Sequence, residues 1–129
     1  MHTIIYNTEA GIIEIKYQGT VDYLELKEVI PQVMAMMKEK QCLLWINDLR
    51  EATLILNALR IYEVVEFLTE TAAKEGIVVS HFKRATITPP NPPDHPFALI
   101  TSRNRGHTVR AFEDIDQARR WLTGKSETE

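Results

Sequence analysis

The chain has 129 residues, 44% hydrophobic and 26% charged, a length and composition that suit one globular domain around a single core. One cysteine, Cys42, excludes an intramolecular disulfide and fits a reducing cytoplasm, and neither a signal-peptide pattern nor an apolar run of the ~20 residues that span a membrane is present. The net charge of −3 divides into −5 over residues 1–80, +4 over 81–125 and −2 at the tail, for which scattered solvated charge is the simplest account, and the pI of 5.8 speaks against nucleic-acid binding.

In chain order, the isoleucine-rich stretches at 2–6 and 11–17 read as strands joined by a turn at "NTEAG". The period then changes. Leu26, Val29, Ile30, Val33 and Met37 recur at helical spacing, and Asp22 with Glu25 has the pattern of a capping box. Pro31 removes an amide donor inside this helix and predicts a kink or break near Ile30. Lys38 and Lys40 suit its negative end.

"CLLWIND" (42–48) is a continuous apolar run, expected as a central strand buried on both faces. A second helix follows, with Ile61, Val64, Val65, Leu68 and Ala72 on one stripe and Gly76 as its stop. "SHFKRATI" (80–87) reads as a fourth strand. "TPPNPPDHP", with five prolines, is a stiff loop. Asp94 is the expected cap of a third helix, on which Phe97 and Ile100 face inward and which Gly106 ends. "TVRAF" (108–112) is a fifth strand. Asp114 caps a fourth helix, with Ile115, Ala118 and Leu122 on one face and Trp121 packing against Phe112. Residues 125–129 are expected as a disordered tail. The order ββαβαβαβα predicts an α/β domain over 1–124: a five-stranded, mixed and mostly parallel sheet with about four helices.

Catalytic signatures are thin. The four histidines are dispersed, with no helical metal spacing, no CxxC, no P-loop and no nucleophile elbow, so no catalytic residue, metal or cofactor is assigned. Cys42 opens an apolar strand and reads as a buried, inert thiol. Asp48, followed by Arg50, is the sharpest acid. It is expected at the carboxyl end of the central strand, where open α/β sheets place ligands, although a loop-capping role explains it as well. Met34 and Met36 offer an adaptable lining for an apolar ligand, with core filling the simpler role for Met34 and Met37. Arg103 and Arg105, with His107 and Arg110, compose a basic patch. Each of these charges also has a structural reason: Arg105-Gly106 ends a helix, Asp114 starts the next, and Arg119 and Arg120 sit toward its end.

The segments "GIIEIKYQGTV", "LLWINDLRE" and "NRGHTVRAFEDIDQARRWL" together resemble the SpoIIAA-like family, stand-alone bacterial domains related to the STAS fold. The resemblance spans nearly the whole chain and is most specific in the last segment, at Asn104-Arg105-Gly106, Val109, Phe112, Asp114, Ala118 and Trp121-Leu122. It implies helices around a five-stranded sheet, a likeness in fold to lipid-binding CRAL-TRIO domains, and no established enzymatic activity. The expectation is therefore a non-enzymatic regulatory or binding domain, cytoplasmic, with a small apolar ligand or a protein as partner. Neither nucleic-acid binding nor stable membrane insertion is expected, and a homodimer through an edge strand or a helix face is open to it. Phospho-regulated STAS proteins carry a serine after the central strand at a helix start. Here "INDLREATLILNALR" offers only Thr53, the candidate phosphorylation site of an anti-sigma-factor-antagonist type of switch. An enzyme using Asp48 is the remaining alternative.

Overall fold

The computed structural model describes residues 1–88 and 95–124; the expected cap Asp94, the side chain of Phe97 and the tail 125–129 lie outside the described residues. Strands β1 (His2–Asn7), β2 (Ile12–Asp22), β3 (Leu44–Ile55), β4 (Lys83–Ile87) and β5 (Thr108–Phe112) form one sheet in the order β1-β2-β3-β4-β5. β1 runs antiparallel to β2, and every other pair is parallel. Each strand therefore lies beside its predecessor. Crossovers of one hand then put their helices on one face, and α1 (Tyr23–Lys40), α2 (Ala58–Lys74) and α3 (His95–Asn104) pack in a row there. α4 (Ile115–Leu122) follows the last strand and packs on β3, β4 and β5.

The core divides accordingly. The larger cluster joins Ile13, Ile15, Tyr17 and Trp45 of the sheet to Val29, Val33 and Leu68 of the helices. The smaller joins Ile12, Ile46, Ala85, Ile87 and Phe112 to Ala118 and Leu122 of α4. Trp121 is partly buried, with its ring 5.7 Å from that of Phe112. The Cys42 thiol is buried and donates to the carbonyl of Gly11 at 3.2 Å.

Local signals explain the boundaries. Asp22 caps α1 by accepting from the Glu25 amide at 3.0 Å. The Glu25 carboxylate does not close the box. It is taken by His2 Nδ1 at 2.7 Å and by the N-terminal amine. Although burial opposes it, the hydrogen bonds from His2 and the N-terminal amine hold the Glu25 carboxyl below the usual range. Of the kink or break expected near Ile30, the break does not occur: α1 continues through Pro31, with its stripe of Val29, Ile30, Val33, Met34 and Met37 buried on both sides of the proline. α2 starts on Asn57, which accepts from the Arg60 amide at 2.8 Å.

Three further expectations are corrected. β2 and β3 run to Asp22 and Ile55, past their expected ends, because Gln18–Asp22 pairs with Glu51–Ile55. The fourth strand begins at Lys83, since residues 79–81 form a single 3₁₀ turn. Ile100 is exposed rather than inward; α3 turns Leu99 and Ser102 to the sheet instead.

Candidate functional site

Between the sheet and the row α1–α3 lies a partly enclosed cavity of about 140 Å³. Its walls are apolar: Leu26 and Ile30 of α1, Val65 and Leu68 of α2, Leu99 of α3 and Val109 of β5 all contribute. Tyr17, Asn47, Arg84, Thr86 and Ser102 bring the polar atoms.

A β-bulge shapes this wall. Lys16 pairs with Asp48 and Gln18 with Glu51, so β3 carries one residue more than β2 over this stretch. The extra residue reverses the alternation: Trp45, Asn47 and Leu49 face the cavity before it, Leu54 and Leu56 after it. Asp48 stabilises the irregularity. Its Oδ1 accepts from the Arg50 amide at 3.1 Å and from Arg50 Nε at 2.9 Å, and its Oδ2 accepts from Nη2 at 2.8 Å. Burial opposes ionisation, but the Arg50 hydrogen bonds outweigh it and keep the Asp48 carboxyl below its usual range.

The polar end is built around Arg84, which is only 7% exposed although it is a charged side chain on an interior strand. Its Nη2 donates to Ser102 Oγ at 2.9 Å and its Nη1 to His107 Nδ1 at 3.3 Å, and the guanidinium lies 5.5 Å from the Trp45 ring centroid. The end of α3 brings the two acceptors together. Gly106 takes the left-handed conformation, φ +85°, so that the His107 amide returns to the Ser102 carbonyl at 3.1 Å and the Gly106 amide to that of Arg103 at 3.0 Å. This is a Schellman turn, and it sets residues 102 and 107 side by side.

Burial, and then the neighbouring Arg84 charge, push the His107 imidazolium down to about 3. The ring is therefore neutral: Nδ1 accepts from Arg84, and Nε2–H donates to Thr69 Oγ1 at 2.8 Å. The Thr69 hydroxyl in turn donates to the Val65 carbonyl at 2.8 Å. Burial lowers the Arg84 guanidinium to about 10, which leaves it charged at neutral pH.

The expected site residues are not assembled around this cavity. Asp48 and Arg50 pair with each other within β3; Asp48 stands at the end of the β3–β4 ladder rather than at the end of its strand. Met34 is fully buried in the core and Met36 is partly buried, and neither lines the cavity, because α1 presents Leu26 and Ile30 there. Thr53 is exposed in β3 opposite Thr20, four residues before the α2 cap, so it is not at a helix start. Arg103 donates to the Val109 carbonyl, and Arg105 reaches from α3 to Glu66 and the Tyr62 hydroxyl of α2. His107 contributes no charge to a basic patch, being buried and neutral. Among the described residues no cluster of metal-ligating side chains occurs, and no helix is long and apolar enough to cross a membrane.

Arg84, Ser102 and His107 as a group escape sequence reasoning. One signal exists: in a sheet with helices on both faces, a strand between two others has no solvent face, so an arginine there points inward.

No family model matches the chain, and no curated protein does. Among solved structures, an uncharacterised protein of the DUF3478 family from Shewanella loihica PV-4, with a SpoIIAA-like fold, matches 95% of this chain and 92% of its own at a TM-score of 0.57 and 15% identity. The chain shares the SpoIIAA-like fold with that protein, and at this identity the likeness concerns the fold alone.

Proposed function

We propose that this domain works by binding, without turnover, and that the cavity between the sheet and α1–α3 takes a small apolar ligand. The observation that carries the reading is the cavity itself: about 140 Å³ of space walled mainly by aliphatic side chains of β3, β5 and three helices. Native interiors are packed with few voids larger than a water molecule, and apolar cavities of roughly 150 Å³ take up benzene-sized ligands. The catalytic alternative has less support, since Asp48 is committed to Arg50 and to the bulge. Phosphorylation at Thr53 would add charge to an exposed strand and not to a helix dipole.

Benzene titrated into methyl-labelled protein tests this reading. Shifts should concentrate on Leu54, Val65, Leu99 and Val109 and disappear in Val65→Phe, which fills the space. Absence of shifts at these methyls, or shifts that survive the filling, would refute it.

A further inference from the structure

Resting on the cavity as the binding site, we propose that the Arg84 guanidinium receives the anionic head, a carboxylate, of a small acid whose apolar body of about six carbons fills the cavity. A buried charge ordinarily has a counter-charge, because removing an ion from water is expensive. Arg84 is buried at the cavity wall, and its contacts among the described residues are Ser102 Oγ, His107 Nδ1 and the Trp45 ring, none of them anionic. Tyr17 lines the same cavity but supplies no charge, since burial and the nearby Glu25 raise its phenol far above neutrality.

Two of the five N–H groups of the guanidinium are used, by Ser102 and His107, and the others meet no acceptor among the described residues. The hydroxyls of Thr86 and Tyr17 also line the cavity and make no hydrogen bond among the described residues. A carboxylate matches this set: its two oxygens accept from the guanidinium fork, and the hydroxyls stand ready to donate. Neutral His107 adds to the fit by accepting from Arg84, which holds the fork in place. The volume sets the size, because about 140 Å³ admits a benzene-sized body and not a long acyl chain.

The test compares hexanoate with hexanol, the same chain with and without the charge, by calorimetric titration of the intact protein and of Arg84→Met at neutral pH. Hexanoate should bind the unmodified protein about ten- to a hundredfold tighter than hexanol and shift the Arg84 Nε–H resonance. Arg84→Met should keep hexanol binding and lose the preference for the acid. Should Arg84→Met not fold, the comparison on the unmodified protein and the Nε–H resonance decide alone. If benzene enters but hexanoate binds no better than hexanol, the head-group assignment is overturned and the cavity stands. If none of the three enters, the cavity reading falls and takes the assignment with it.

Discussion

Arg84 Nη1 and His107 Nδ1 are 3.3 Å apart, and the arginine is the donor. That direction requires a neutral imidazole, and burial with the adjacent cation enforces it, with the imidazolium pushed down to about 3. In the unfolded chain the same histidine titrates near ~6.5. The folded value is the lower one, so the unfolded state binds more protons as the pH falls. Stability is therefore complete above ~6.5 and is lost progressively toward pH ~3, by up to about 1.4 kcal/mol per pH unit. Urea unfolding of the unmodified protein and of His107→Gln, between pH 7 and pH 4, should show their stability difference shrinking as the pH falls. Parallel pH profiles would refute this account.

Asp48 is expected to matter for stability. Asp48→Ala leaves the Arg50 amide at the bulge without its acceptor and should cost about 1–3 kcal/mol, whereas Asp48→Asn, which retains an oxygen toward that amide, should cost less. The denaturation midpoints of the two variants check this. An alanine variant as stable as the unmodified protein would show that the bulge does not need its carboxylate.

Trp121 and Arg105 should differ in the same assay. Trp121 is partly buried against Phe112, so Trp121→Ala should cost about 2–3 kcal/mol, below the ~3–5 kcal/mol of a fully buried aromatic. Arg105 bridges α3 to Glu66 and Tyr62 of α2 from a partly exposed position, and Arg105→Ala should cost about 1 kcal/mol or less. Reversal of that order would show that the arginine bridge, and not the tryptophan, holds its helix.

Thr86→Val removes a cavity-lining hydroxyl that has no protein partner among the described residues and preserves its shape. Such a replacement should stabilise the domain by up to about 1 kcal/mol. A destabilised variant would mean that the hydroxyl is satisfied within the folded protein, for instance by water.

Much of this fold was legible because its signals are local. Asp22 and Asp114 cap their helices, Gly76 and Gly106 end theirs, and the change from period two to helical period marks each element. What stayed hidden depends on residues distant in sequence. The extension of β3 through Glu51–Ile55 is not legible until Gln18–Asp22 is seen beside it. In "FKRATI" the charge pattern alone does not choose between Lys83 and Arg84; Arg84 is the buried one, on the face where Ser102 and His107, distant in sequence, accept its hydrogen bonds. The methionines suit a ligand by their chemistry and the core by their spacing, and the sequence favours the core for Met34 and Met37. Their depth along α1 places Met34 and Met37 in the core, with Met36 partly buried against it.

The sequential strand order also governs when the Arg84 charge leaves water. β1 to β4 can assemble with the guanidinium still hydrated, since Ser102 and His107 belong to the segment that comes after. The desolvation cost of that charge therefore falls on the docking of α3 and its turn, not on the sheet. α3 should be the helix that opens at the lowest free energy, with amides that exchange with solvent sooner than those of α1 and α2. An anion that neutralises the guanidinium would slow this exchange, tying the breathing of one short helix to the occupancy of the space beneath it.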